Sequence, residues 1–140
     1  MIPIHNLKPG DIVNVDFDGT FTRGSVAEFD RENQQICVIT NDDQESWYSP
    51  ADLSPIILTK EDLEKLQFVP SAPFADGTIT YVRGPFSIEV KDPNTLQEIT
   101  LIYRNEAQRV FHHGLALHEL QNHYLDMTNV HLIDRAALED

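Results

Sequence analysis

Pro9-Gly10-Asp11-Ile12-Val13-Asn14-Val15-Asp16-Phe17-Asp18-Gly19-Thr20 is the stretch from which the fold of the N-terminal part of this chain is read. Pro9-Gly10 has the residues of a turn, each supplying a backbone angle that others adopt with difficulty. Val13, Val15 and Phe17 alternate with Asn14 and Asp16, and a period of two places the apolar side chains on one face of a β-strand. Asp18-Gly19 then offers two residues that tolerate the positive φ of a tight primed turn, so an antiparallel partner strand is expected from Thr20.

Outward from this hairpin the signals repeat at short intervals. The second strand runs through Phe21 to Phe29 and contains Gly24, where a bend or bulge is expected. A turn follows at Asp30 to Asn33, a third strand at Gln35 to Thr40, a turn at Asn41-Asp42-Asp43 and a short fourth strand at Ser46-Trp47-Tyr48. Ala51 to Ile56 closes the unit. Several short strands in so few residues point to a small closed β-barrel rather than a sandwich of two full sheets.

Three segments, Pro9-Gly10-Asp11, Phe21-Thr22-Arg23-Gly24-Ser25-Val26 and Ser46-Trp47-Tyr48-Ser49-Pro50-Ala51-Asp52-Leu53-Ser54-Pro55-Ile56, together resemble a Tudor domain. The resemblance implies an SH3-like barrel over residues 1–57 and a role in holding a protein partner. It departs from the domains that read methylated lysine or arginine. Asn41-Asp42-Asp43 stands where aspartate, tyrosine and glycine are usual, and Thr22 where a second aromatic would stand. What remains as a ligand-binding candidate is a patch of Phe17, Phe21, Trp47 and Tyr48; the usual burial of large aromatics favours core filling for the same rings.

Residues 58–73 read as a short helix and a linker. Thr59 can cap the helix, Asp62 can answer it three residues later, and Leu58 can staple to Leu63, with the helix running to about Gln67. Pro70-Ser71-Ala72-Pro73 reads as linker, because proline lacks an amide for a strand ladder. Residues 74–140 then form an α+β subdomain: three antiparallel strands at Thr78–Val82, Phe86–Val90 and Glu98–Tyr103, covered by a C-terminal helix. After Asn105 the spacing becomes helical, and Leu117, Leu120, Tyr124 and Met127 form one stripe continuing to about Asn129. Val130 to Ile133 is expected as a short terminal strand. His118-Glu119-Leu120-Gln121-Asn122-His123-Tyr124 resembles the C-terminal helix of a group of small bacterial and phage proteins, which implies a phage or mobile-element origin and brings no mechanism with it.

Charge and composition narrow the partners. Twenty-three acidic side chains face ten basic ones, for a net charge of −13. Thirteen acidic and five basic fall in residues 1–70, and ten and five in residues 71–140. Phosphate backbones are bound by clustered Lys and Arg, so direct nucleic-acid binding is not expected, nor is binding to anionic membranes. Acidic mimicry of nucleic acid remains the alternative to a simple protein-interaction role. The lone Cys37, within Ile36-Cys37-Val38-Ile39, reads as core, and together with the lack of a basic-then-apolar leader this suggests a cytoplasmic protein.

No catalytic constellation is recognised, and neither a cofactor nor a metal is expected. His112, His113, His118 and His123 cluster in sequence, but His118 and His123 are five apart, about 140° around a helix, where a helical zinc motif needs four. Asp16, Asp18, Asp42 and Asp43 are explained by turn chemistry. The expectation is therefore a noncatalytic binding protein of undetermined oligomeric state.

Overall fold

The computed structural model describes residues 2–17, 19–40, 43–92 and 96–133, leaving aside the side chains of Phe17 and Ala107. Its elements are α+β: two antiparallel five-stranded sheets and one principal helix near the C-terminus. The chain divides into two compact units. One comprises the chain up to Ile56 together with Leu117–Asn122 and Ile133, and the other Ile57–Ala116 together with His123–Leu132.

In the first unit, β1 (Ile12–Phe17), β2 (Thr20–Asp30), β3 (Gln35–Thr40), β4 (Glu45–Tyr48) and β5 (Leu53–Ser54) form a sheet in the order β4-β3-β2-β1-β5. The hairpin expected around residue 18 is present. Phe17 pairs with Thr20, and Gly19 takes φ +80° in the two-residue connection; Asp18 lies outside the described residues. The turn at Lys8-Pro9-Gly10-Asp11 also forms. Gly10 has φ +95°, the Asp11 amide donates to Lys8 O at 3.1 Å, and the Asp11 carboxylate accepts from the Lys8 amide at 2.9 Å. Proline second and a positive-φ glycine third is what a type II turn requires.

One face of this sheet packs on a core of Ile2, Leu7, Val13, Val15, Val26, Ile36, Val38 and Leu53, with Phe29 and Tyr48 against it. The sheet is not the closed barrel expected from the sequence. β5 returns beside β1, but no described strand joins β4 to β5, so the sheet stays open at those two edges. With β5 only two residues long, too few backbone groups remain to pair on both its sides. Gly24 is also not the site of the bulge. The register slips between Val26 and Glu28 instead. Gly24 is buried, and a Cβ there would overlap Val38 Cγ1 and approach Ile39 O to 3.1 Å, so the glycine makes room for a core side chain.

In the second unit, α1 (Lys60–Lys65) starts with the expected capping box: Thr59 Oγ1 accepts from the Asp62 amide, and the Asp62 carboxylate accepts from the Thr59 amide at 3.1 Å. The sheet has five strands, in place of the three expected: β6 (Val69–Pro70), β7 (Ile79–Arg83), β8 (Phe86–Val90), β9 (Ile99–Tyr103) and β10 (Ala107–Phe111), ordered β10-β9-β8-β7-β6. The two additions are its edges. Pro70, read as linker, pairs with Tyr81, and an edge strand can accommodate a residue with no N–H. Ala107–Phe111, read as helical, pairs along β9.

The helix α2 (Leu117–Thr128) is shorter than the helical spacing after Asn105 suggested. It ends at Asn129, which takes the left-handed φ of +60° and donates its amide to Leu125 O at 2.8 Å. The strand expected at Val130–Ile133 is absent; Val130, Leu132 and Ile133 form bends there. Within the second unit Phe86 meets the Tyr124 ring edge-on at 4.7 Å, and the Arg83 guanidinium lies 5.5 Å over Tyr124 and 6.0 Å over Phe68.

Candidate functional site

Paired residues of antiparallel strands share a face, so the register assigns each predicted site residue a side of the first sheet. Tyr48 pairs with Ile36 on the core face and is packed against the core. Trp47 pairs with Cys37, which pairs with Glu28, on the second face. Phe21 pairs with Asp16, also on that second face. Trp47 and Phe21 are exposed, at 47% and 62%, which corrects the expectation that these rings fill the core. The Phe17 side chain lies outside the described residues.

The four aromatics therefore do not converge. Trp47 and Tyr48 are neighbours on opposite faces of one strand. Phe21 lies about six register steps from the level of Trp47, or roughly 20 Å at the usual strand rise. What surrounds Trp47 is acidic. Glu45, two residues before it on β4, shares its face, and Glu28 is level with it across β3, both exposed. Cys37, buried between them, has its thiol pushed up, first by burial and then by the Glu45 and Glu28 charges. That thiol is held in its neutral, unreactive form.

Glu45 and Glu28 were not singled out in the sequence. Alternation along Glu45-Ser46-Trp47 places the first beside the indole. Glu28 joins them only because the extra residue at Ala27 shifts the register, and no local signal marks that position.

The run His118–Tyr124 turns out to be a hydrogen-bonding element of the first unit at its start. Gln121 is buried and grips the Pro9-Gly10-Asp11 turn at two points: its Oε1 accepts from the Ile12 amide at 2.8 Å, and its Nε2 donates to Gly10 O at 2.9 Å. Asn122 Nδ2 donates to Asp11 Oδ2 at 3.1 Å and to Asn6 O at 3.3 Å. Amide side chains suit this task because each supplies a donor and an acceptor without charge.

The histidines are scattered over different surroundings. His118 is buried in the first unit, its Nδ1 has no hydrogen-bond partner, and burial pushes its pKa down against a smaller upward pull from Glu119. His123 belongs to the second unit, where its Nδ1 accepts from Arg109 Nη1 at 2.6 Å and its ring leans on Phe111 at 4.9 Å. That bond to a guanidinium, which has only donors, fixes the proton of a neutral His123 ring on Nε2. Arg109 also approaches Asp126 at 3.7 Å. His112, exposed, lies 4.0 Å from Glu98, and His113 bonds Gly114 O. Among the described residues no three His, Cys, Asp or Glu side chains gather as metal ligands.

Of the four turn carboxylates, Asp16 is exposed on the second face and Asp43 donates its amide to Thr40 O from a left-handed φ of +60°, while Asp18 and Asp42 lie outside the described residues. No described helix is long and apolar enough to cross a membrane. Compared with protein-family models, with curated proteins and with solved structures, the chain matches none.

Proposed function

We propose that this chain is a noncatalytic protein-interaction module, with the N-terminal sheet as its binding element. The observation that carries the reading is the pair of aromatic rings, Phe21 and Trp47, left in water on one face of that sheet. Aromatic side chains lose the most by staying solvated and are enriched where proteins meet, so two on one face favour a covered state. The polar clusters support a noncatalytic role, since Gln121 and Asn122 are engaged with backbone and turn, and Arg109 with His123 and Asp126.

The Tudor-like resemblance fits the same reading. A meander of four strands with a fifth returning beside the first supplies one seam of a small SH3-like arrangement, here left open at the other. The likeness of His118–Tyr124 to small phage and bacterial proteins extends it to a phage or mobile-element setting, in the cytoplasm.

The test is affinity capture from a lysate of the source organism with the full chain, followed by hydrogen exchange on the purified complex. Specific capture with slowed exchange in the N-terminal sheet is the expected result. Recovery of nothing specific, or protection confined to the second unit, defeats the proposal.

A second reading, mimicry of nucleic acid towards a DNA- or RNA-binding protein, is favoured by the ten acidic against three basic side chains in residues 1–56. Displacement of the captured protein by single-stranded DNA would assign this reading. Retention of the complex in excess DNA would exclude it.

A further inference from the structure

Resting on the interaction-module reading, we propose that edge strand β4, with Glu45 and Trp47 on its second face and Glu28 two strands inward, takes an extended protein segment carrying lysine or arginine at alternate positions. β4 ends the sheet order, and only β3 among the described strands pairs with it. An edge of this kind offers an unpaired row of amides and carbonyls to an added strand.

The spacing of side chains sets the chemistry of that segment. Glu45 and Trp47 are two residues apart on one face, about 7 Å along the strand, which is the interval at which an added strand presents its own alternate side chains. One cation then meets the Glu45 carboxylate, and the next lies against the indole face, where the ring quadrupole attracts positive charge. Glu28, level with Trp47 through Cys37, is two strand spacings from β4 and three, about 14 Å, from an added strand, so its carboxylate acts on a basic segment through its field rather than by direct contact. The effect of both carboxylates on Cys37, lying between, agrees with their closeness to this point.

Charge complementarity selects the occupant. Residues 1–56 hold ten acidic and three basic side chains, so a second copy of the chain would bring like charge against this edge, whereas a basic segment is attracted to it.

Trp47 is the only tryptophan in the chain, so its fluorescence reports on the site directly. The probe is a short peptide alternating lysine and threonine, titrated into the full chain beside a control with glutamine in place of lysine. A saturable change with the lysine peptide alone is expected, weakening with added salt and weakening roughly tenfold in the Glu28→Gln/Glu45→Gln chain. Amide exchange should slow at Glu45–Tyr48. The same response to the glutamine peptide, no response to either, or an unchanged response in the double variant overturns the proposal. So does a concentration-dependent dimer, seen by sedimentation and abolished by Trp47→Ala, which would give the edge to a second copy. Protection by the lysine peptide elsewhere on the first sheet defeats the β4 assignment while leaving the interaction-module reading standing; failure of the full chain to capture any partner defeats that reading first.

Discussion

Gln121 does more for the first unit than its side-chain type suggests. It satisfies the Ile12 amide and the Gly10 carbonyl together, and both bonds are shielded from water at least in part. At about 1 kcal/mol net for each such bond, Gln121→Ala should cost about 2 kcal/mol, read from the midpoint of denaturant unfolding. Gln121→Glu separates this role from packing: it retains the acceptor but sets a carboxylate oxygen against Gly10 O. A glutamate variant as stable as the native chain would refute the two-point grip. His118 gives a pH dependence whose sign follows from its surroundings. Burial disfavours the imidazolium, so the unfolded chain takes up a proton before the folded one does. The stability associated with a neutral His118 is complete above the ordinary histidine value of about 6.5 and is lost as the pH falls below it. Many carboxylates titrate in acid too, so the measurement is a difference. Melting temperatures of the native chain and of His118→Leu, compared from about pH 8 to about pH 5, should diverge in the variant's favour as the pH falls. Parallel curves would show that His118 has no part in the acid response.

At the level of elements, what was legible in the sequence was local. The β1–β2 hairpin rests on one dipeptide and one alternation, and α1 on residues three apart, so neither depends on distant partners. The capping box gives a direct check. Thr59→Ala should destabilise the fold by about 1 kcal/mol in denaturant unfolding while Thr59→Ser stays near neutral, because serine retains the accepting hydroxyl. Equal losses for both would mean that the methyl group, not the oxygen, matters. The two missed strands lie at sheet edges, where sequence signals are weakest. β6 contains a proline that reads as linker, and β10 follows a turn in which Arg104 and Asn105 both take positive φ, with no Asn-Gly or Asp-Gly dipeptide to announce it. Arg109 within β10 faces the same side as Leu101 and is held by His123 and Asp126 from a helix many residues later. A pattern whose sense depends on such distant partners cannot be read from its own residues. The candidate site shows the same division: Glu45 and Trp47 share a face by alternation alone, whereas Glu28 is brought there by a bulge.

For the molecule as a whole, the compact units do not follow the chain in simple order. The sequence reads as a barrel over residues 1–57, and Leu117–Asn122 groups with that part of the chain. From that segment come Gln121 on Ile12 and Gly10, Asn122 on Asp11 and Asn6, and the Leu117 amide, which donates to Ile56 O at 2.7 Å. A piece of about 60 residues buries only about 60% of the surface its unfolded chain exposes, leaving little stability in reserve. Five hydrogen bonds at roughly 1 kcal/mol each, though not strictly additive, are comparable to all the stability a domain of that size commonly has. A fragment ending at residue 57 should therefore show weak, non-cooperative unfolding by circular dichroism and poorly dispersed amide resonances, while the full chain unfolds cooperatively. The helix sequence Leu117–Asn122 added as a separate peptide is too short to hold its own helical form and should not restore the fragment at moderate concentration, because ordering it costs more than its contacts return. Cooperative unfolding of the bare fragment, with a midpoint matching that of the first unit in the full chain, would show that residues 1–57 stand alone and that the Gln121 and Asn122 contacts contribute little.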